Sequence, residues 1–134
     1  MGLRRKAREI ALQFFFGYDL QERSCEAAAL EKDLDTFCRH FEVTRKALPY
    51  ARELIRGICS HREEIDSLLA SRSHNWRLER MSPVDRNILR IAAYEILYVD
   101  EVHATVAITE ALEIAKRYSM EDSAAFINGV LDAL

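Results

Sequence analysis

Several features are scarce in this chain of 134 residues, and each scarcity excludes a class of protein. Only four glycines and two prolines occur, which argues against a turn-rich β fold and favours long helices with short connections. No apolar run approaches the length of about 18 residues that a membrane span needs. The N-terminus is charged and lacks the apolar stretch and small-residue cleavage site of a signal peptide. The sequence therefore predicts a helical protein of the cytoplasm, without a membrane segment.

Cysteine is also scarce, and its spacing does not suggest a metal site. Cys25, Cys38 and Cys59 are odd in number and widely spaced, and no C-x-x-C pair occurs. No two histidines fall at i, i+4, and the short spacing from Cys38 to His40 is a poor match to a zinc site. We expect no metal and no cofactor. We also expect all three cysteines to be reduced, as is usual in the cytoplasm.

Motifs of catalysis are absent as well. The sequence has no Gly-rich phosphate loop, no G-x-S-x-G and no H-E-x-x-H. Acidic pairs such as Glu63–Glu64 are adjacent in sequence, so their side chains do not face one another as a general acid and base would. We therefore expect no catalytic residues and no enzymatic activity.

The sequence does contain a block of positive charge at its N-terminus. Arg4, Arg5, Lys6 and Arg8 all precede the first acidic residue, Glu9. The whole chain has 19 basic and 22 acidic residues, so without this block 15 basic residues remain and the net charge is −7. A cationic segment on an acidic body is typical of a protein that binds a polyanion such as nucleic acid. The alternative is that these charges only solvate the start of a helix.

The basic block opens a predicted helix from about residue 3 to residue 20. At about 100° per residue, its core stripe consists of Leu3, Ala7, Ile10, Ala11, Phe14 and Tyr18. The opposite side carries charge and rings, with Arg5, Arg8, Leu12 and Phe16. Three consecutive phenylalanines cannot all face one core, so at least one ring should lie beside the arginines, where it could stack on an unpaired base. The alternative is that Phe15 and Phe16 both pack under neighbouring helices.

The rest of the chain also has helical periodicity, without strand alternation, internal repeats or a linker. Further helices are predicted from about 25 to 40, from 44 or 48 to 70, from 83 to 99, from 105 to 118 and from 121 to 134. Ser82, Pro83 and Asp85 form a strong helix start, and the helix that follows is apolar nearly all round, as expected of a central helix. We expect the Trp76 side chain to pack at the edge of a hydrophobic core. The sequence predicts one all-α domain of six or seven helices.

Three stretches of sequence carry a resemblance to a known family. The first is R-R-K-A-R-E-I-A-L-Q at 4–13, followed by the aromatic run. The second is H-R-E-E-I-D at 61–66, which leads to V-D-R-N-I-L-R-I-A-A-Y-E-I at 84–96. The third is V-A-I-T-E-A-L-E-I-A-K-R-Y at 106–118, followed by E-D-S at 121–123 and F-I-N-G-V-L-D at 126–132. Together, and in this order, they resemble the transcription antitermination factor NusB; only about 21–48 matches weakly.

The resemblance implies a fold and a set of partners. It implies a single NusB-like domain of two packed helical subdomains, about 1–72 and 73–134, that binds single-stranded boxA-type RNA. The family's protein partner is the small-subunit ribosomal protein also called NusE. The pair binds nascent ribosomal RNA and acts on the RNA polymerase elongation complex with other Nus factors. Some members form homodimers that hide the RNA surface, so a homodimer is a further possibility.

The resemblance also implies candidate site residues. Those for RNA are Arg4, Arg5, Lys6, Arg8, Phe16, Asp122, Ser123 and Phe126. Those for the ribosomal protein are Glu79, Arg80, Asp85 and Arg86, each of which could equally be an ordinary helix-end charge. Two positions depart from the family pattern. Phe16 replaces a tyrosine of many members, which keeps the ring and loses a hydroxyl, and Ala125 replaces a basic residue, which removes one phosphate contact.

Two other functions remain open at this point. One is a protein–protein adaptor with negligible RNA affinity of its own. The other is an RNA-binding module of a ribosomal RNA cytosine methyltransferase, since that family can carry a similar domain. The chain ends at Leu134 without a catalytic domain after it, which argues against the methyltransferase.

Overall fold

The computed structural model describes residues 2–21, 25–73 and 77–134, and the regular structure in these ranges is helical throughout. The α-helices are α1 (Leu3–Leu20), α2 (Ala27–Cys38), α3 (Leu48–Ser60), α4 (Arg62–Arg72), α5 (Pro83–Tyr98), α6 (Ala104–Tyr118) and α7 (Ser123–Asp132). Two 3₁₀ segments, Arg39–Ala47 and Leu78–Arg80, lie between them. The predicted all-α fold is confirmed. The expected role of Trp76 lies outside the described residues.

The chain forms two compact units, Met1–Ser60 and His61–Leu134. This division falls earlier than the expected boundary near residue 72, because it coincides with the break between α3 and α4. The prediction of one continuous helix from 44 or 48 to 70 is wrong at this break. Ile58 and Ile65 are seven residues apart, close to two full helical turns, so the apolar spacing continues across the interruption at His61 and does not reveal it.

The first unit is built around α1, which packs on α3 and on the 3₁₀ segment Arg39–Ala47. Small residues from all three elements form a buried cluster, with Phe37, Phe41, Leu48 and Tyr50 packed against it. The cluster consists of Ala7, Ile10, Ala47 and Ala51. Because alanine side chains are short, α1, α3 and the 3₁₀ segment can approach closely in this part of the unit.

A disulfide bond joins two parts of the first unit. Cys25, just before α2, is bonded to Cys59 in the last turn of α3, with their Cα atoms 5.3 Å apart, a normal separation for a disulfide. The expectation that all three cysteines are reduced is therefore wrong for this pair, because the fold brings together residues that lie 34 positions apart in sequence. Cys38 is free and buried, and desolvation raises the pKa of its thiol.

The second unit is built around α5, which packs against α4, α6 and α7. Its residues from Asn87 to Glu95 are all buried, so the predicted central helix is confirmed. The predicted helix start is also confirmed: Pro83 is the first helical residue and the Ser82 hydroxyl accepts the Asp85 N–H at 3.1 Å. This cap fixes the direction in which the first turn of α5 presents its side chains.

A partly buried ion pair connects α4 to α5. The guanidinium group of Arg90 donates two hydrogen bonds to the Asp66 carboxylate, at 2.8 and 2.9 Å, and a third to the Asn87 side-chain oxygen at 3.0 Å. Arg90 is 4% exposed, so its charge needs these partners. The bidentate geometry therefore fixes α4 against the central helix of its unit.

Candidate nucleic-acid interface

The N-terminal turn of α1 presents positive charge to solvent. Arg4 and Lys6 are exposed and Arg5 is half-buried, and the first turn contains no acidic residue. Cations at a helix N-terminus oppose the helix dipole by about 0.3–1 kcal/mol each, so this turn is not arranged for helix stability. The Arg4 guanidinium carbon lies 5.5 Å from the centre of the Tyr50 ring, a cation–π distance that directs it towards α3.

Arg8 is placed differently from the other members of the basic block. It is only 3% exposed, and Leu12, one turn later, is 6% exposed. The expectation that both lie on an outward face of α1 is wrong, because packing covers more of this helix than one stripe. An RNA contact by Arg8 remains a prediction, and its side chain is far less accessible than those of Arg4 and Lys6.

The three consecutive phenylalanines divide between the core and the surface. Phe14 and Phe15 are 4% and 0% exposed, whereas Phe16 is 37% exposed. Phe14 belongs to an aromatic cluster, with ring centres 5.6 Å from Phe15, 4.4 Å from Tyr18 and 5.2 Å from Phe37. The expectation that at least one ring faces outward is confirmed, and Phe16 is that ring.

A concave site next to this face was not expected from the sequence. A cavity of about 280 Å³ lies between α1 and α2 and includes Gln13 and Gly17 on α1 and Thr36 on α2. Across it the Tyr18 hydroxyl donates a hydrogen bond of 2.8 Å to the Asp33 carboxylate. No sequence motif could have indicated it, because its two sides belong to different helices.

In the second unit, the remaining RNA candidates lie at the end of the α6–α7 connection and in the first turn of α7. Asp122 is exposed and precedes α7 without making a side-chain cap, and Phe126 is half-buried. Ser123 is 7% exposed, and its hydroxyl donates to the Asp85 carboxylate at 2.8 Å. Ala125, for which the family resemblance implies a basic residue, is exposed. Asp122 is thus open to solvent, Phe126 is only partly accessible, and Ser123 forms an internal hydrogen bond.

The four partner candidates separate into two kinds. Glu79 and Arg80, in the 3₁₀ segment before α5, are exposed. Asp85 and Arg86, in the first turn of α5, are half-buried. The Arg86 guanidinium donates to the carbonyl oxygen of Leu78 at 3.3 Å.

Asp85 makes two hydrogen bonds to serines at the α6–α7 connection. It accepts from both Ser119 and Ser123. A hydrogen bond therefore connects Asp85, which was predicted to contact the protein partner, with Ser123, which was predicted to contact RNA. Ser119 was missed because an isolated serine after a helix carries no signal of its own.

Other kinds of site find no support in the described part of the chain. Among its His, Cys, Asp and Glu side chains, no group of three could hold a metal ion. None of its helices has the length and apolarity needed to cross a bilayer.

Comparison with known proteins establishes the family of this chain. The NusB family profile matches residues 5–134, which is almost the full length. This chain belongs to the NusB family. The resemblance drawn from the three sequence stretches is thereby confirmed.

Other NusB proteins of similar length are similar in sequence to this NusB chain. The transcription antitermination protein NusB of Desulfosudis oleivorans is 46% identical over 134 residues, covering 100% of this chain and 86% of the relative. That of Desulfotalea psychrophila is 44% identical, covering 100% of this chain and 96% of the relative. These relatives match the chain from end to end, so the family assignment extends to both units.

Solved NusB structures share the fold. T. maritima NusB has a TM-score of 0.83 and 39% identity, covering 97% of this chain and 88% of its own. A crystal structure of the antitermination factors NusB and NusE in complex with dsRNA matches with a TM-score of 0.80 and 25% identity, covering 98% of this chain and 94% of that one. NusB relatives of this fold are therefore known with a protein partner and with RNA.

Proposed function

We propose that this protein is a transcription antitermination factor that binds single-stranded boxA-type RNA of ribosomal RNA transcripts together with the ribosomal protein NusE. The observation that carries the proposal is that α1 presents exposed cations in its first turn and an exposed ring nearer its end. Arg4 and Lys6 are open to solvent at its start, and Phe16 is open nearer its end. From Arg5 to Phe16 the helix rises by about 16 Å, room for several nucleotides of an extended strand.

The two kinds of group recognise different parts of an RNA strand. Arginine and lysine neutralise phosphates and release bound counterions, which makes affinity depend on salt. A base can stack on Phe16 only after it has left a duplex, because paired bases are already stacked on each other. The combination therefore favours unpaired RNA over duplex RNA, whereas cations alone would bind both.

The protein partner is assigned to the start of α5. Glu79 and Arg80 are exposed side chains of opposite charge on the 3₁₀ segment that precedes it, and a partner with complementary charges could bind them directly. The solved complex of NusB with NusE supports a ribosomal protein as that partner. In this proposal the protein acts on the RNA polymerase elongation complex together with other Nus factors. It does so in the cytoplasm and catalyses no reaction.

The test is a set of RNA-binding titrations at several salt concentrations, with and without the ribosomal protein. The variant Arg4→Glu/Lys6→Glu should abolish binding of a single-stranded boxA RNA. Arg45→Glu/Lys46→Glu is the matched control, because it makes the same change of charge at two exposed positions of the same unit. It should bind RNA almost as tightly as the wild type, and a duplex of the same sequence should compete weakly.

The adaptor function predicts the opposite result. In that case the wild type would have negligible RNA affinity alone, and reversal of Arg4 and Lys6 would do little while the ribosomal protein still bound. Equal losses in the two double variants would also contradict the proposal, because they would indicate a general effect of net charge.

A further inference from the structure

The carboxylate of Asp85 lies where three helices of the second unit meet. Its two oxygens accept hydrogen bonds from Ser119, which ends α6, and from Ser123, which begins α7. The two serine oxygens are 2.9 Å apart. Each hydroxyl has one proton, so when both donate to the carboxylate neither proton is left for the other serine. Asp85 is therefore the acceptor on which this cluster depends.

The cluster holds both ends of a short exposed loop. Between Ser119 and Ser123 lie Met120, Glu121 and Asp122, all of them exposed, with Met120 at 80%. The backbone adds two more hydrogen bonds, from Ser119 N–H to Ala115 O at 2.8 Å and from Ser123 N–H to Met120 O at 3.0 Å. Hydrogen bonds to an ionised carboxylate are stronger than these neutral ones. The side chain of Asp85 thus fixes the loop that precedes Phe126.

The next residue in α5 faces a different segment. Arg86 donates to the carbonyl oxygen of Leu78, at the start of the 3₁₀ segment that carries Glu79 and Arg80. Consecutive residues of one capped helical turn therefore connect the segment assigned to the protein partner with the loop assigned to RNA.

We propose that Asp85 is a positioning residue for RNA binding, which acts through Ser119 and Ser123 on the α6–α7 loop and does not need to touch the ribosomal protein to do so. This inference rests on the proposed RNA-binding function. It reassigns a residue that the family resemblance places at the partner surface, and it adds Ser119 to the residues on which RNA affinity depends.

A double-mutant cycle on the full chain tests the inference, with single-stranded boxA RNA titrated in the absence of the ribosomal protein. Asp85→Ala should weaken RNA binding about tenfold, as the loss of charge-assisted hydrogen bonds predicts. Ser123→Ala should weaken it by a similar factor. In the Ser123→Ala background, Asp85→Ala should cost clearly less than its tenfold loss in the wild type, because one of its two serine contacts is already broken. Asp85→Asn keeps one acceptor oxygen without the charge and should lose less affinity than Asp85→Ala.

Two controls separate positioning from general effects. Asp132→Ala removes an equal charge from an exposed site at the other end of α7 and should leave or slightly raise RNA affinity. Amide hydrogen exchange at 119–123 should become faster in Asp85→Ala and remain slow in Asp85→Asn. That measurement reports the loop directly, even if Asp85→Ala lowers the stability of the unit.

The outcomes distinguish this inference from the function on which it rests. If the wild type binds no RNA with or without the ribosomal protein, the proposed function fails and the inference fails with it. If the wild type binds RNA but Asp85→Ala weakens only the binding of the ribosomal protein, Asp85 is a partner contact and the inference alone fails. It also fails if the losses from Asp85→Ala and Ser123→Ala multiply.

Discussion

In the proposed interface, base stacking depends on Phe16. The neighbouring Phe15 is a useful comparison, because it is the same residue type in a buried position. The two side chains differ by one position in sequence and about 100° around α1, yet Phe15 is fully buried and Phe16 is 37% exposed. Removal of the buried Phe15 ring leaves a cavity, whereas removal of the partly exposed Phe16 ring costs less packing and also takes away the surface on which a base could stack. Substitutions at these two positions should therefore affect different measurements.

Phe16→Ala should weaken single-stranded RNA binding by about 1–3 kcal/mol, the usual contribution of one stacked base. Phe16→Tyr keeps the ring and should bind at least as well as the wild type. Fluorescence titration measures both, and urea denaturation should show a smaller loss of stability for Phe16→Ala than for Phe15→Ala, because Phe16 is only partly covered. Phe15→Ala, by contrast, should cost about 3–5 kcal/mol of unfolding free energy. An unchanged RNA affinity in Phe16→Ala would remove this ring from the interface.

Asp122 should oppose RNA binding through its charge. It is exposed and makes no side-chain cap to α7, so its carboxylate would face a phosphate strand without a compensating partner. Asp122→Asn should therefore tighten RNA binding, most clearly at low salt where repulsion is least screened. A titration that gave equal or weaker affinity would count against placing Asp122 near the RNA.

For single residues of α1, the sequence predicted the exposure of the aromatic side chains better than that of the charged side chains. Three adjacent phenylalanines cannot share one face, so an outward ring followed from helix geometry alone. The burial of Arg8 could not be foreseen, because a helical wheel assumes one covered side and α1 is covered on more. The Asp66–Arg90 pair spans 24 positions and depends on how α4 lies on α5.

At the scale of elements, helix starts were predictable and helix interruptions were not. Ser82 and Pro83 signal the start of α5 through local hydrogen bonding and a fixed φ angle, both of which belong to the sequence itself. The break at His61 has no glycine or proline to mark it, and the apolar period runs through it unchanged. No local pattern therefore marks the place where α3 gives way to α4.

The link between Cys25 and Cys59 should stabilise the first unit by restricting its unfolded chain. For a loop of 34 residues, the chain-entropy relation gives about 4 kcal/mol. Cys25→Ser should therefore lower the unfolding free energy by roughly this amount without reductant, as measured by urea denaturation. With reductant present, the variant and the wild type should be nearly equal.

Alkylation provides the control for this prediction. Unfolded without reductant, the wild type should take up iodoacetamide at Cys38 alone, and at all three cysteines after reduction. In the folded protein Cys38 should stay unmodified near neutral pH, because it is buried and its raised pKa keeps the thiol protonated. Three reactive thiols before reduction would show that the bond does not form.

On the scale of the whole molecule, charge is distributed unevenly. The chain has a net charge of −3, and without the basic block at its N-terminus the net charge is −7. Most of the surface therefore repels a polyanion, and attraction depends on few cations. Since Arg8 is buried, about three phosphates should be neutralised, by Arg4, Arg5 and Lys6. For single-stranded RNA this corresponds to a slope of about −2 in a plot of log affinity against log salt concentration.

Ala125→Lys should make that slope steeper. The position is exposed near the start of α7, and many family members have a basic residue there, so a lysine should restore one phosphate contact and change the slope by about −0.7. Ala133→Lys is the matched control: it adds the same charge at another exposed alanine of the same unit. It should raise affinity only slightly and leave the slope near −2. If both lysines made the slope steeper by the same amount, RNA affinity would depend on the net charge of the protein alone. The proposed RNA contact at the start of α7 would then be wrong.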